Sequence, residues 1–345
     1  MRRNRQPVGV HLVGSIPTDS AEEAFHLAMQ HLGGLLKRLP DGEVGERDTW
    51  IRWQHQKIGR SAQIYETKLP PLYVPMSPYA VLKEITSDDQ IEFPNLGYAD
   101  AAIESFAVFE KLRSNGIIPD GMRFQVGLPT PLSVAIFYVE PTSRLLFEGG
   151  YKRAIEHELM RMLRRIPPEK LSIQWETVSE FALLEGVMDN HLTGNLLDNI
   201  TNRLANLVDL VPTETEVGLH LCYGDSGHKH FCEPKNADYL GRVASGAITK
   251  AQKNISWIHM PVPRERDDLD YFTPLANFDL AESTDLYLGL VHHTDGKEAT
   301  LRRIETAKRI VPRFGVATEC GLGRRDLKSI PDLMRQHAEI ADEIW

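Results

Sequence analysis

Cysteines are scarce in this sequence of 345 residues, and long hydrophobic runs are absent. Cys222, Cys232 and Cys320 are too few for a disulfide framework, so reduced thiols in a cytoplasmic protein are expected. No run of about 20 apolar residues could span a bilayer, and the basic residues 1–5 are not followed by the apolar segment of a secretory signal. The sequence therefore predicts a cytoplasmic protein that has no membrane partner.

Basic residues are also in deficit. Lys and Arg total 39 against 48 Asp and Glu, which gives a formal net charge of −9 with histidine neutral. Such a charge disfavours nonspecific contact with a phosphate backbone, so no nucleic-acid partner is expected. The 42% apolar and 25% charged residues are typical of a globular protein.

Short apolar runs that end in polar residues or glycine recur along the chain. Their length and their β-branched or aromatic content predict strands. These strands cover residues 8–15, 122–127, 171–176, 216–222, 255–259, 285–292 and 314–320, with a weaker one ending in 39–43. Between them, apolar residues recur at helical spacing in 21–38, 98–115, 150–165, 192–210, 236–253, 298–310 and 326–344.

Eight strand–helix units in one chain predict an α/β fold with a parallel sheet. The length favours a single (β/α)8 TIM barrel over an open sheet, with residues 1–345 as one domain. Residues 50–94 are rich in Pro and Tyr and show weak periodicity. They are predicted to be an insertion after the second strand, an irregular excursion near the barrel mouth.

Polar residues cluster at the ends of the predicted strands. In a TIM barrel the active site is built from the carboxyl ends of the strands, where packing alone would place Val, Ile or Leu. The residues at or near these ends are Gly14, Ser15, Glu43, Gln125, Glu176, His220, Cys222, His259, His292, His293 and Cys320. We therefore expect the active site to include these side chains.

His220 and Cys222 are separated by one residue, so in a strand they share a face. They could be soft metal ligands, a thiol–imidazole pair or ordinary core residues. Catalytic zinc typically takes three protein ligands, and Cys320 from the last strand could be the third. Such a site would hold a substrate thiol as a thiolate, ready to attack an alkyl carbon.

Five segments, in chain order, carry a family resemblance: LVGSIP (12–17), DGE (41–43), IQWE (173–176), HLC (220–222) and ECGLGRR (319–325). They resemble motifs of the catalytic barrel of cobalamin-independent methionine synthase. The same superfamily includes uroporphyrinogen decarboxylase and zinc-dependent thiol alkyltransferases. The resemblance implies that a substrate amino acid such as homocysteine is bound by Gly14, Ser15, Glu43 and Glu176. It also implies that zinc is bound by His220, Cys222 and Cys320.

The chain departs from the family pattern at three points. Glu176 stands where the family has Asp, and His259 stands where the family has a fourth zinc ligand, a Glu. His259 is therefore a candidate ligand, while His292 or His293 would supply the family's catalytic histidine. The chain has one barrel rather than two, so a corrinoid protein or another alkyl donor is expected in place of methyltetrahydrofolate. The partners are then a small thiol and this donor.

Other interpretations stay open. A metal-free decarboxylase-like or isomerase-like enzyme could use the same carboxylates and histidines, and a small-molecule binding protein could retain the barrel without catalysis. The segment HKHFC places His228, His230 and Cys232 at alternate positions in a loop, as a second metal cluster or as a lid. Arg324 and Arg325 are either solvated or positioned to meet an anionic group.

Overall fold

The computed structural model describes residues 8–71, 76–278 and 280–344. Within them, strands and helices alternate along most of the chain. The strands are β1 (Arg38–Pro40), β2 (Ile64–Glu66), β3 (Tyr79–Val81), β4 (Arg123–Pro129), β5 (Leu171–Thr177), β6 (Glu216–Leu221), β7 (Trp257–Pro261), β8 (Asp285–Gly289) and β9 (Gly315–Val316). The helices are α1 (Ala21–Leu32), α2 (Gln54–Ile58), α3 (Tyr98–Ser114), α4 (Pro131–Tyr138), α5 (Arg144–Leu163), α6 (Ser179–Leu184), α7 (Leu196–Asp209), α8 (Asp238–Lys250), α9 (Leu269–Phe272), α10 (Gly296–Lys308) and α11 (Ile330–Ile344).

One curled parallel sheet of seven strands forms the centre of the described chain, in the order β1-β4-β5-β6-β7-β8-β9. Every residue of β5, β7 and β8 is buried, as expected where helices cover one side of a parallel sheet and side chains fill the other. The predicted α/β fold with a parallel sheet is confirmed.

The segment predicted as the first strand is not a regular strand. In it, Val10 alone forms β-bridges, one to Leu36 next to β1 and one to Val316 of β9. Gly9, with φ of 92°, takes a left-handed conformation, and a Cβ there would lie 2.4 Å from the carbonyl oxygen of Leu35. This close approach interrupts the ladder, although Val10 still contacts both edges of the sheet.

The register of the central strands places the site residues side by side. Glu176 of β5 pairs with His220 of β6, and His220 pairs with His259 of β7. Because these strands are parallel, the three side chains lie at the same level of the sheet and close to its carboxyl end.

Residues 50–94 differ from the irregular excursion predicted. They contain α2 and an antiparallel hairpin of β2 and β3, in which Ile64 pairs with Val81. Residues 72–75 within this excursion lie outside the described residues. Among the described helices, none has both the length and the apolar character to cross a membrane.

Candidate metal centre and active-site cavity

His220, Cys222 and Cys320 converge at the carboxyl end of the sheet. His220 lies in β6, Cys222 follows its last residue, and Cys320 lies four residues beyond β9. The candidate ligand atoms of the three side chains all lie within 4.8 Å of one another. Cys222 and Cys320, which are 98 positions apart in the chain, are thus brought together. Their spacing in the sequence alone could not establish this contact.

The distances within the cluster fit a tetrahedral zinc site. Cys222 Sγ lies 3.8 Å from Cys320 Sγ, and Cys320 Sγ lies 3.8 Å from His220 Nε2. With Zn–S bonds of about 2.3 Å and Zn–N bonds of about 2.0 Å, tetrahedral angles separate two sulfurs by about 3.8 Å and a sulfur from a nitrogen by about 3.5 Å. Three protein donors also leave the fourth position for a substrate atom, the pattern of a catalytic zinc site.

The two thiols of the cluster have opposite pKa shifts. A hydrogen bond from Cys222 lowers the pKa of Cys320 well below the usual thiol value, and Arg324 and His220 lower it further. The same hydrogen bond, together with burial, raises the pKa of Cys222. Cys320 is therefore the first of the two to ionise, and metal binding would have to displace the proton of Cys222.

His259 lies behind His220 rather than in the cluster. Its Nε2 is 2.9 Å from the carbonyl oxygen of Thr318, and its Nδ1 is 2.7 Å from His220 Nδ1. Because a carbonyl only accepts, Nε2 of His259 carries the proton. Burial lowers the pKa of His259 well below its usual value, so the ring is neutral and its Nδ1 accepts from His220.

This chain of hydrogen bonds fixes the tautomer of His220. His220 Nδ1 carries the proton that it donates to His259, so in the neutral ring the unprotonated nitrogen is Nε2, which is directed at Cys320. An unprotonated imidazole nitrogen is the form that binds a metal, and ligating histidines commonly donate their other N–H to a supporting group. The geometry gives His259 this supporting position, in contrast to the ligand position predicted from the sequence.

Two carboxyl groups, one half-buried and one buried, lie close together beside the cluster. Glu43 follows β1 and Glu176 is in β5, and their Oε1 atoms lie 2.9 Å and 2.5 Å from the point where a Cβ on Gly127 would stand. Burial raises the pKa of Glu43 well above the usual value, and Glu176 and Asp41 raise it further. Burial also raises the pKa of Glu176 to about 7. A like-charged pair of this kind accepts a proton or an ammonium group readily.

Gly14 and Ser15 lie at the rim beside these carboxyls. A Cβ on Gly14 would lie 2.5 Å from Glu43 Oε1, so a larger residue at this position would displace the Glu43 carboxylate. Ser15 is tied to the segment after Cys320, because its Oγ accepts from Gly323 N at 3.1 Å and its carbonyl oxygen accepts from Leu322 N at 2.7 Å.

Gln125 has a different position from the one predicted. It is fully buried, and its Nε2 donates to the carbonyl oxygens of Leu12 and Val13 at 3.2 Å and 3.0 Å. Gln174 also donates to Val13, at 2.7 Å. Gln125 therefore holds the rim segment in place and does not line the cavity.

A cavity of about 340 Å³ opens in front of the cluster. Its lining includes the cluster, both carboxyls and the rim, together with Trp50, Phe137, Tyr138, Asp225 and Arg324. Asp225 and Arg324 form an ion pair of 2.8 Å, and Arg324 also donates to Cys320 Sγ at 3.4 Å. Asp225 directly follows the His-x-Cys region in sequence, whereas no sequence signal marks Trp50 as a cavity residue.

Backbone strain concentrates at this cavity. Among the described residues, three that are not glycine have a positive φ: Glu43 at 43°, Trp50 at 57° and His228 at 58°. All three line the cavity. Such conformations cost on the order of 1–3 kcal/mol each and persist where the surrounding structure requires them, most often at functional sites.

His292 and His293 differ in environment. His292 is buried, with Nε2 3.0 Å from the carbonyl oxygen of Val262 and Nδ1 3.3 Å from Glu319 Oε2, while His293 is exposed. Glu319 immediately precedes Cys320, and its other oxygen lies 3.4 Å from His230 Nε2. Glu319 was missed from the sequence, although its place beside Cys320 is the signal that could have indicated it.

The segment HKHFC does not form a second three-residue metal cluster within the described chain. His228 lines the cavity, and His230 contacts Glu319 and Glu233. Burial raises the pKa of the Cys232 thiol to about 11. Within this segment, the cavity lining thus includes His228 and not His230 or Cys232.

Solved structures with the same fold are found in three organisms. A candidate vitamin-B12-independent methionine synthase from Listeria monocytogenes aligns over 99% of both chains, with a TM-score of 0.60 and 16% identity. A B12-independent methionine synthase from Shewanella sp. W3-18-1, solved in complex with selenomethionine, aligns over 98% of both chains, with a TM-score of 0.65 and 12% identity. A methyltransferase from Methanosarcina mazei aligns over 97% of this chain and 95% of its own, with a TM-score of 0.56 and 12% identity.

No protein-family model matches the sequence, and no curated protein matches it. At these identities the three structures establish a shared fold along nearly the whole chain.

Proposed function

We propose that this protein is a zinc-dependent methyltransferase or alkyltransferase whose acceptor is a small thiol such as homocysteine. The observation that carries the proposal is the cluster of His220, Cys222 and Cys320, with separations of 3.8 Å that suit tetrahedral zinc. The fold shared with proteins described as methionine synthases and a methyltransferase supports the same reaction class. Zinc bound at this cluster would lower the pKa of a coordinated substrate thiol, so that the thiol reacts as a thiolate.

The remaining residues would bind and orient the acceptor. Glu43 and Glu176 are the proposed partners of its ammonium group, since the half-buried Glu43 and the buried Glu176 line the same cavity as the cluster. The backbone of Gly14 and Ser15 would contact the rest of the amino-acid head group. This arrangement leaves the sulfur of the acceptor directed at the cluster.

His292 is the proposed proton-carrying group, in preference to the exposed His293. It is buried, and its Nδ1 lies 3.3 Å from Glu319, the residue next to Cys320. A histidine hydrogen-bonded to a carboxylate is suited to general acid–base work.

The proposal also includes a complete (β/α)8 barrel, closed through Val10, and a reducing, cytoplasmic location consistent with three free cysteines.

Zinc content in cysteine variants tests the proposal. The purified protein and Cys232→Ser are expected to hold about one zinc per chain by elemental analysis, because Cys232 lies outside the cluster. Cys222→Ser and Cys320→Ser are expected to lose most of it, since each removes one of three protein ligands. Circular dichroism of all four proteins checks that they fold alike.

Equal zinc content in all four proteins would remove the metal assignment. Activity in protein stripped of zinc would instead favour the metal-free decarboxylase-like or isomerase-like enzyme. A thiol that stays bound and unaltered in the presence of alkyl donors would favour the binding protein.

A further inference from the structure

Trp50 and Phe137 form an aromatic corner in the wall of the cavity that contains Cys222 and Cys320. Their ring centroids are 5.5 Å apart and their planes lie at 85°, so the two rings bound adjacent sides of the space. Tyr138 lines the same cavity, with its hydroxyl donating to the carbonyl oxygen of Ile51 at 2.8 Å. Aromatic rings at right angles are suited to enclosing a compact organic cation.

An unusual backbone conformation and a side-chain hydrogen bond together fix the position of Trp50. Its backbone has a φ of 57°, and its side chain donates a hydrogen bond to Glu176. A bulky residue rarely adopts this conformation. The hydrogen bond to Glu176 uses the indole N–H, and the ring of Trp50 forms part of the cavity wall.

The charges around the aromatic corner favour a cationic ligand. Within the described residues, neither Glu43 nor Glu176 forms a salt bridge with a basic side chain, whereas Asp225 is paired with Arg324. Arg52 also lines the cavity, but its side chain is exposed to solvent. The two carboxyls line the same cavity as the rings, and any negative charge on them favours a cation there.

The cavity is also small. Its 340 Å³ lies near the lower end of the range of about 300–1,000 Å³ that is usual for small-molecule sites. Trp50 and Phe137 line the same cavity as Cys222 and Cys320, so a small donor at the rings would share this space with the acceptor thiol.

We infer that the alkyl donor is a small methylonium compound, a methylsulfonium or a quaternary methylammonium, whose cationic centre lies against Trp50 and Phe137. This inference rests on the proposed function and names the class of its donor. The attractive contact with the ring faces and the nearby carboxyls would hold the cation with one methyl group toward the acceptor sulfur.

The reaction balances without an oxidant or a reductant. The thiol proton passes to solvent when the thiol ionises. The thiolate sulfur then uses a lone pair to form a bond to the methyl carbon, and the bond from that carbon to the onium centre breaks. Its electron pair stays on the leaving atom, so a sulfonium leaves as a neutral thioether and an ammonium as a neutral tertiary amine.

Calorimetry with a matched pair of probes tests the inference. Choline carries a trimethylammonium group, and 3,3-dimethylbutan-1-ol is its uncharged carbon analogue of the same shape. The zinc-loaded protein is expected to bind choline roughly ten- to thirtyfold more tightly than the alcohol. Trp50→Leu should abolish this preference, and Trp50→Phe, which keeps an aromatic face, should retain most of it.

Trp53→Leu is the control, because Trp53 does not line the cavity and its loss should leave the preference unchanged. Equal affinities of the wild-type protein for choline and the alcohol would overturn the inference. So would equal preferences in Trp50→Leu and the wild-type protein.

A transfer assay separates the donor inference from the proposed function. With trimethylsulfonium and homocysteine, headspace chromatography should detect dimethyl sulfide in amounts equal to the methionine formed. Loss of this product in Trp50→Leu with full zinc content supports the donor class. A zinc-loaded protein that methylates homocysteine only from a corrinoid protein refutes the donor class and leaves the proposed function in place.

Discussion

At the scale of single residues, neighbouring groups determine the charge state of each candidate site residue. Glu43 and Glu176 are ordinary carboxyls in the sequence, but burial raises the pKa of both, and Glu176 raises that of Glu43 further. His220 is an ordinary imidazole, yet His259 fixes which of its nitrogens is unprotonated. The chemistry of the site therefore depends on pairs of residues.

Glu43→Gln and Glu176→Gln should each weaken the binding of homocysteine. Loss of a charged hydrogen-bond partner costs about 1.5–3 kcal/mol, which is roughly ten- to hundredfold in Kd. Binding of 2-mercaptoethanol, which has no amino group, should be unchanged in both variants. Calorimetry of the two thiols measures the difference.

The pH dependence has a definite sign. The pKa of Glu176 is raised to about 7 by burial, so its carboxylate forms as pH rises through 7. Homocysteine affinity in the wild-type protein should therefore rise between pH 6 and 8. An ammonium site would be contradicted if Glu43→Gln and Glu176→Gln weakened the binding of both thiols equally. It would also be contradicted if homocysteine affinity did not change with pH.

At the scale of elements, the sequence predicted helices that have one apolar face and missed those that do not. Ser20 caps α1, since its side chain accepts a hydrogen bond from Glu23 N. In contrast, α4 is buried along all of its residues, Pro131–Tyr138, so it has no polar face and no helical period to detect. The predicted strand at 8–15 failed because the left-handed Gly9 interrupts its pairing.

His337 should make α11 sensitive to acid. Burial lowers its pKa to about 4, its Nδ1 is 2.7 Å from the carbonyl oxygen of Leu333, and its Nε2 has no partner in the described chain. Below pH 6.5 the imidazole of His337 is protonated in the unfolded chain but stays neutral in the native state. The free energy of unfolding therefore falls as pH drops toward 4. From pH 7 to 4.5 this residue should account for about 2–3 kcal/mol of the lost free energy of unfolding.

Urea denaturation of His337→Leu measures that share. The variant should lose about 2–3 kcal/mol less than the wild-type protein between the two pH values. His26→Leu is the matched control, because His26 is exposed on α1 and should keep the wild-type dependence. An identical pH dependence in all three proteins would show that His337 does not contribute.

At the scale of the whole molecule, the cluster joins distant parts of the sheet. Cys222 follows β6 and Cys320 follows β9, two strands that are separated in the sheet by β7 and β8. Their sulfurs nevertheless lie 3.8 Å apart. The sequence indicated that such residues lie at strand ends. It could not establish which of them meet, because that depends on register and on loop conformation.

The sequence was least informative about residues whose position in the site depends on tertiary contacts. His259 was a candidate ligand by its strand position, but only the hydrogen bonds to His220 and Thr318 reveal that it lies behind the cluster. Gln125 was a candidate substrate ligand, yet its amide reaches Val13. Trp50 lay in a segment without periodicity, where no local pattern marks a cavity residue.

Zinc removal should lower global stability. A ligand that binds the native state alone adds about 2.7 kcal/mol at a hundredfold excess over its Kd. A chelator should therefore lower the melting temperature of the wild-type protein and Cys232→Ser by several degrees. Cys320→Ser should melt at the lower temperature with or without chelator. If calorimetry shows that the chelator does not shift the melting temperature of the wild-type protein, a stabilising metal is contradicted.

Two buried amide side chains hold the segment that leads into the rim of the cavity. The carbonyl oxygen of Val13 accepts hydrogen bonds from the amides of Gln125 and Gln174, at 3.0 Å and 2.7 Å, and Gly14 and Ser15 follow directly. For protein engineering, Gln125 is therefore a position at which shortening the side chain to asparagine would shift the rim without substituting a residue of the cavity wall, whereas Gln174 also donates to Glu176 Oε1 at 3.1 Å.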